Sequence, residues 1–233
     1  MPEIAVIARV GAHKAFAARG LKPDKTEVFS TPYGDSRPVH FFRHEGLEFA
    51  VLSRHGEAGY DLSAPFLNPR ANLYALKSLG VAKVLAWVAP GSLQEEMAPG
   101  DLVVPRDVLD EGKGGPHTFF TGVGWGFIRH NPLFCPELRE AVLKALAGAP
   151  FTVHDHGVYV ATSGPRLETA AEIRKFRLLG GRPGGPDTGA GGLPGPGTGT
   201  LLHYPHLCGE LRRGLGGPAV PTRSAVRGPG NGR

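Results

Sequence analysis

The most informative stretch of the sequence is residues 157–172, which read GVYVATSGPRLETAAE. Its first half is rich in β-branched and aromatic residues and predicts a short strand, and its second half begins a helix. A glycine–proline pair forms the turn between them, because glycine accepts unusual backbone angles and proline fixes φ. This turn would put Arg166, Leu167 and Glu168 at the carboxyl edge of a sheet, where α/β proteins bind ligands. Taken alone, the stretch also fits an ordinary strand–turn–helix corner with an exposed arginine.

The composition indicates one globular domain. The 233 residues, 41% of them hydrophobic, are enough for an α/β domain with a core. No apolar run is long enough to cross a bilayer, and the N-terminus lacks a secretion signal, so we expect a cytoplasmic protein without membrane association. Cys135 and Cys208 are too far apart to indicate a disulfide framework. His154 and His156 alternate along one strand, but no third ligand is spaced to join them, and no metal site is predicted.

The end of the chain differs in composition from the rest. Glycine and proline make up 24 of the 53 residues from 181 to 233, and no helical stripe or sustained alternation is present there. We therefore predict an α/β core at residues 1–181 and a disordered Gly/Pro-rich tail at residues 182–233. The net charge of +5 suggests an anionic partner such as phosphate or nucleic acid. Part of that excess of positive charge lies in the tail, whose only acidic residues are Asp187 and Glu210.

Before that boundary, strand and helix signals alternate. Residues 4–7 predict a strand, and residues 39–43 with 47–53 predict a hairpin around a Glu-Gly turn. Asn68 and Pro69 are suitable first residues for a helix, and residues 81–89 predict a strand covered on both faces. This order is typical of an α/β fold.

Two further helices are predicted. A stripe on residues 136–147 should pack on the core, and a second helix after the central turn should end near residue 180. The predicted buried positions are Leu138, Ala141, Val142, Ala145 and Leu146 in the first helix, and Ala170, Ile173 and Phe176 in the second.

Three strings carry a family resemblance. The GPRLET..AE segment from Gly164, the tripeptide Arg54-His55-Gly56 and the PGDLVVP segment at residues 99–105 resemble segments of the trimeric purine nucleoside phosphorylases. The sequence is most similar to their methylthioadenosine/methylthioinosine phosphorylase branch, over about residues 28 to 181. The resemblance implies a phosphorylase/hydrolase-like single domain in which helices flank a central mixed sheet.

The resemblance also implies an activity. The reaction would be phosphorolytic cleavage of a purine (methylthio)nucleoside to the free purine and a 1-phosphosugar. Inorganic phosphate would be the co-substrate, no cofactor or metal would be needed, and the protein would be a homotrimer. Guanidinium and imidazole donors suit an oxyanion. Phosphate would be held by Arg54, His55, Val88 and Ala89, and the purine pocket would contain Arg166, Leu167 and Glu168.

Two positions depart from the family pattern. The family has a glycine loop with a hydroxyl residue after the first strand, whereas this chain has Arg9-Val10-Gly11-Ala12. The family has Thr-Ala or Asn-Ala where this chain has Val88-Ala89, and valine cannot donate a hydrogen bond. One expected phosphate contact is therefore missing or made by backbone. The Leu167-Glu168 pair occurs in some bacterial relatives and favours a 6-oxopurine such as that of methylthioinosine.

A shifted reading frame would explain the unusual tail. Read one nucleotide downstream, the codons for residues 182–185 permit Asp-Leu-Val-Gly, those for 190–199 permit PEVFLARELG, and those for 207–215 permit SAGNYAAGL. These strings resemble, in order, phosphorylase segments that complete the fold. We therefore expect that a frameshift has replaced the last third of the family's chain, including residues that hold the ribose and the base. Activity of the chain as written should be impaired.

Two other functions are open at this point. A non-catalytic basic protein could bind nucleic acid through the Arg/Gly/Pro tail, although the tail lacks the aromatic residues that usually stack on bases. A sugar or nucleotide hydrolase could use the same architecture. Dependence of nucleoside cleavage on phosphate would separate a phosphorylase from both.

Overall fold

The protein combines a large sheet, a small sheet and four helices among the residues described. The structure is a computed structural model that describes residues 1–112, 118–120 and 131–180, and the backbone of 190–191, 199–203 and 222–223. The helices are α1 (Ala12–Ala17), α2 (Pro69–Ser78), α3 (Pro136–Ala145) and α4 (Ala170–Gly180). The strands are β1 (Ile4–Ala8), β2 (Lys25–Thr31), β3 (Gly34–Asp35), β4 (Val39–His44), β5 (Leu47–Ser53), β6 (Lys83–Val88), β7 (Leu102–Val103), β8 (Asp107–Glu111), β9 (Val153–His154), β10 (Val158–Thr162), β11 (Ala190–Gly191), β12 (Gly199–His203) and β13 (Thr222–Arg223).

The large sheet is mixed, as predicted. Its order is β13-β2-β4-β5-β1-β6-β12-β7-β9, with β3 paired to β2. The strand β1 runs parallel to both β5 and β6, whereas β4 runs antiparallel to β5. The strands β8, β10 and β11 form a second sheet with parallel pairing. Parallel strands in the centre need crossover connections, and α2 supplies the one between β5 and β6.

The core lies at the centre of the large sheet. Ala5 of β1, Leu52 of β5 and Val84 of β6 are fully or almost fully buried, and Leu76 of α2 packs against the same cluster. The predicted hairpin between β4 and β5 is confirmed. Its turn residues Glu45 and Gly46 have φ of 48° and 80°, the positive values that two-residue hairpin turns of type I′ require.

The three predicted helices α2, α3 and α4 begin where expected, but two of them bury less than expected, and α1 was not predicted. The side chain of Asn68 accepts a hydrogen bond of 3.1 Å from the Ala71 amide at the start of α2. In α3, Val142 and Leu146 are half-buried against the cluster around Leu102, and the expected positions Ala141 and Ala145 are exposed.

In α4, Phe176 is buried and Ile173 packs beside it, but Ala170 is exposed. In both helices the apolar stripe is therefore narrower than the periodicity indicated. The reason for α3 is its place at the rim, because the cluster that it covers belongs to β7 and β9 at the end of the large sheet.

Three short strands, β11, β12 and β13, are described in the segment after residue 181. The backbone of β12 pairs with β6 and β7, that of β13 pairs with β2, and that of β11 pairs with β10. The remaining residues of the predicted tail lie outside the described residues. The division of the chain at residue 181 stays a prediction. Among the described helices, none is long and apolar enough to span a membrane.

Candidate functional site

Three neighbouring parallel strands end at the same edge of the large sheet. Ala8 of β1 lies opposite Ser53 of β5, and Ile7 of β1 lies opposite Ala86 of β6. The residues that follow these strands are therefore neighbours in space, and they include Arg54 after β5 and Ala89 after β6. The structure thus brings together the two segments that were predicted to hold phosphate. The carboxyl edge of parallel strands is the usual ligand position in an α/β sheet.

The Arg54–His55 pair is held by hydrogen bonds at this edge. The Arg54 amide donates to the Ala8 carbonyl at 3.0 Å, which ties the loop to β1. The Arg54 Nε–H donates to His55 Nε2 at 3.2 Å, and His55 Nδ1 lies 2.9 Å from the Leu62 carbonyl oxygen. Because a carbonyl only accepts, Nδ1 carries the proton and Nε2 uses its lone pair for Arg54.

This geometry corresponds to a neutral His55. Burial lowers the pKa of His55, the bond to the Leu62 carbonyl opposes that shift, and the charges of Arg54 and Arg9 lower the pKa further. In this conformation neither ring nitrogen of His55 has a proton left for an anion. The contacts therefore orient the Arg54 side chain, and direct donation from His55 to phosphate remains a prediction.

Arg9 belongs to the same edge and was missed as a site residue. It follows β1 directly, and its Nη2 donates to the Tyr60 hydroxyl at 2.6 Å. The Tyr60 ring lies 5.0 Å from the His55 ring, measured between centroids. Arg9 therefore adds a second cation beside Arg54 at the position where the resembling family has its glycine loop. Its place directly after the first strand was the available signal, but only the sheet order shows that it adjoins Arg54.

The two positions that depart from the family pattern make contacts within the protein. The Gly11 amide donates to the Gly56 carbonyl at 3.0 Å, and the Ala12 amide donates to Ser53 Oγ at 3.1 Å. Val88 is 6% exposed and packs in a cluster with Phe134. Its side chain thus fills the core, and Ala89, which is half-buried, is the nearer of the predicted pair to the edge.

Tyr159 of β10 links the predicted phosphate and purine residues. Its ring packs against the cluster that contains Val88. Burial raises the pKa of the Tyr159 hydroxyl, the positive charge of Arg54 opposes the shift, and the carboxylate of Glu168 adds to it. Both charges therefore act on this hydroxyl from nearby. One carboxylate oxygen of Glu168 is buried and has no hydrogen-bond partner among the described residues. Sequence reasoning placed Tyr159 in a strand but gave it no role.

Arg166, which was predicted for the purine pocket, forms an ion pair with Glu172, and its purine role stays a prediction. Its guanidinium makes two hydrogen bonds to the Glu172 carboxylate, at 2.8 and 2.7 Å. Glu172 also accepts from the Thr169 amide at 2.8 Å, and the Glu172 amide donates to Thr169 Oγ1 at 3.3 Å. This is a capping box at the start of α4. Arg166, followed by the Thr169 amide, lowers the pKa of Glu172 to about 2.

The corner after β10 therefore has two parts. Arg166 stabilises the beginning of α4, as the ordinary strand–turn–helix interpretation of this stretch expected. Leu167 is 57% exposed, and only Glu168 of the predicted purine residues is directed inward and within electrostatic range of Tyr159. The part of the site that can be traced in the described residues consists of Arg9, Arg54, His55, Ala89, Tyr159 and Glu168.

Known proteins share both the sequence and the fold of this chain. The sequence profile of the phosphorylase superfamily matches residues 3–183. The 6-oxopurine nucleoside phosphorylase of Pyrococcus furiosus is 38% identical over 189 residues, which are 78% of this chain and 69% of the relative. The S-methyl-5'-thioadenosine phosphorylase of the same organism is 39% identical over 179 residues, or 76% of this chain and 67% of the relative.

A solved structure agrees with these matches. A methylthioadenosine phosphorylase from an antarctic soil metagenomic library superimposes with a TM-score of 0.72 at 27% identity, covering 86% of this chain and 71% of that structure. The methylthioadenosine phosphorylase of Schistosoma mansoni has the same fold, with a TM-score of 0.73 at 23% identity. With a profile match over most of its length and relatives close to 40% identical, the chain belongs to the phosphorylase superfamily.

Proposed function

We propose that the reaction of this protein is the phosphorolytic cleavage of a purine nucleoside, with inorganic phosphate as co-substrate. The observation that carries the proposal is the pair of arginines, Arg9 and Arg54, at adjacent carboxyl ends of β1 and β5. Two guanidinium groups at a sheet edge suit a dianion, and they lie on the part of the chain that matches the phosphorylase superfamily.

The chemistry follows from this placement. A phosphate oxygen forms a bond to the anomeric carbon of the sugar while the bond from that carbon to the purine breaks. The purine leaves with the bonding electrons and takes up a proton. The sugar passes through a cationic, oxocarbenium-like state, which the negative charge of the bound phosphate stabilises. Arg54 and Arg9 would hold the phosphate in position, and such positioning supplies a large part of the rate.

The second half of the proposal concerns the nucleoside. The charges of Arg54 and Glu168 both act on Tyr159, and the buried carboxylate oxygen of Glu168 is an acceptor for a purine N–H group. A purine with a proton on its ring nitrogen, as in a 6-oxopurine, would supply that donor. The relatives include both 6-oxopurine and methylthioadenosine enzymes at similar identity, so the base is assigned here from Glu168 alone.

We further propose that the chain as written turns over slowly. The resemblance implies that residues holding the ribose and the base follow residue 181, where this sequence is the Gly/Pro-rich tail. The profile match ends at residue 183, which supports a boundary there. Losing groups that stabilise charge on a leaving base costs about 100-fold or more in rate. The homotrimer implied by the resemblance stays a prediction, which analytical ultracentrifugation can test.

The test is product analysis with the purified full-length chain. Inosine, methylthioinosine and methylthioadenosine are each incubated with and without phosphate, and free purine and 1-phosphosugar are quantified. We expect slow purine release that requires phosphate and is reduced in Arg54→Gln. Arg43→Gln is a matched control, since Arg43 is an exposed arginine on β4 paired with Glu48. Equal release without phosphate would indicate a hydrolase and overturn the proposal.

A further inference from the structure

Three side chains that sequence analysis did not connect meet beside the candidate site. His13 of α1, His40 of β4 and Glu57 of the loop after β5 offer ligand atoms that all lie within 4.8 Å of one another. The distance from His40 Nε2 to the nearer Glu57 oxygen is 2.9 Å, and that from His13 Nδ1 to the same oxygen is 3.6 Å. Their separation along the chain hid the cluster from spacing arguments.

The distances suit a metal ion. Zinc binds imidazole nitrogen and carboxylate oxygen at roughly 2.0–2.1 Å, so two ligand atoms of a tetrahedral site are about 3.3 Å apart. The separations of 2.9 and 3.6 Å lie on either side of that value, and the third pair, His13 and His40, lies within 4.8 Å. Two histidines and one carboxylate are also a ligand set found in zinc enzymes, with solvent as the fourth ligand. Glu57 is a third exposed, so water can reach that position.

His40 Nε2 and Glu57 Oε1 are hydrogen-bonded at 3.0 Å, but one ligand atom of the cluster has no such partner. His13 stacks on His40 with 4.3 Å between ring centroids, yet its Nδ1 is buried and has no hydrogen-bond partner among the described residues. Buried polar atoms are normally paired, so an unpartnered ring nitrogen 3.6 Å from a carboxylate requires an explanation. A cation bound between the three groups supplies it.

The surroundings of His40 fit a ligand. His40 is 5% exposed, and its Nδ1 lies 2.8 Å from Thr26 Oγ1, on the neighbouring strand β2. Metal-binding histidines usually donate their second ring N–H to an oxygen, which fixes the ring and its tautomer. The Thr26 hydroxyl can accept that proton, and a metal would then take the place of the contact between Nε2 and Glu57 at 2.9–3.0 Å.

We propose that His13, His40 and Glu57 form a binding site for a divalent transition metal of the zinc class. The metal would connect α1, β4 and the loop that begins with Arg54, and it would stabilise the fold without taking part in phosphorolysis. Mg²⁺ and Ca²⁺ are not expected to bind, because they prefer all-oxygen ligand sets. The proposal is independent of the enzymatic function.

Metal binding to the full-length chain tests the proposal. The protein is treated with a chelator, dialysed and titrated with Zn²⁺ in competition with a chromophoric chelator, and with Co²⁺ monitored by visible absorption. We expect one equivalent of Zn²⁺ per chain, a tetrahedral-type Co²⁺ spectrum, and no competition from millimolar Mg²⁺. His13→Gln should weaken Zn²⁺ binding by more than about 100-fold, and Thr26→Val by about 10- to 100-fold.

A histidine outside the cluster provides the control. His154→Gln alters another largely buried histidine with a carboxylate partner, Asp101 at 2.8 Å, and should leave Zn²⁺ binding unchanged. His13→Gln removes no hydrogen bond that the structure gives to His13 Nδ1, and a circular dichroism melt verifies that it folds. Absence of Zn²⁺ binding by the wild-type chain, unchanged binding by His13→Gln, or an equal loss in His154→Gln would each overturn the assignment.

Discussion

Replacing His55 tests whether it contacts phosphate itself or acts by orienting Arg54. His55→Leu removes the ring nitrogen that accepts the Arg54 Nε–H at 3.2 Å, whereas His55→Gln keeps an amide oxygen that can accept it. Arg54→Gln removes the cation. Since both ring nitrogens of His55 are used inside the protein, we expect its effect on phosphate to pass through Arg54.

The hydrogen-bond geometry sets the loss of phosphate affinity expected for each variant. A hydrogen bond to a charged group contributes about 1.5–3 kcal/mol, and a distance of 3.2 Å, at the long end of the usual range, favours the lower value. His55→Leu should therefore weaken phosphate binding about tenfold. Arg54→Gln should weaken it about 100-fold, near 3 kcal/mol. The double variant should bind no more weakly than Arg54→Gln, because the orienting contact has nothing left to orient.

Isothermal titration with inorganic phosphate measures these effects on the full-length chain, whatever its turnover. His55→Gln should recover part of the loss seen in His55→Leu, and Arg43→Gln should behave as wild type. Additive losses in the double variant would show that His55 contacts phosphate independently of Arg54, and the orienting role would then be wrong. A wild-type affinity for phosphate in Arg54→Gln would show that Arg54 does not bind phosphate.

Three further predictions concern stability. Thr169→Ala removes the N-terminal cap of α4 and should lower the free energy of unfolding by about 1 kcal/mol in urea titrations, and an unchanged midpoint would argue against the capping box. Leu52→Ala, at a site with 0% exposure, should lower the free energy of unfolding by about 2–5 kcal/mol, and a smaller loss would show that Leu52 is not part of the core. Burial lowers the pKa of His13 and His55, so the unfolded chain binds more protons below pH 6.5, and stability should fall as the pH drops through that value. His55→Leu should flatten that pH dependence, and an unchanged slope would contradict the neutral histidine.

The strands β1, β4, β5, β6 and β10 and the helices α2, α3 and α4 were predictable because their signals are local, whereas α1 and β2 were not predicted. The hairpin of residues 39–43 and 47–53 and the Asn68-Pro69 helix start depend on neighbours in sequence, and the structure has them where expected. Burial was less predictable. The exposed positions Ala141 and Ala170 lie on faces that periodicity alone assigns to the core, because the sequence does not show where a helix sits relative to the rim of a sheet.

The residues of the candidate site were likewise only partly predictable from the sequence. Arg54 and Glu168 were found from strings that resemble a family, but Arg9 and Tyr159 join them only through the sheet order and the second sheet. The ion pair of Arg166 with Glu172 also had a local signal. The Thr-x-x-Glu pattern that starts at residue 169 predicts a capping box. Its glutamate can form an ion pair with an arginine three residues before the cap.

The most direct test of the central claim is the rate of phosphorolysis before and after the reading frame is restored. Deletion of a single nucleotide at codon 181 would replace the tail by the shifted-frame sequence, and both proteins would be assayed with methylthioinosine and phosphate. We expect the restored protein to be about 100-fold or more faster, and Arg54→Gln to abolish that gain. Ordinary enzyme rates from the chain as written, or no gain after restoration, would contradict the account.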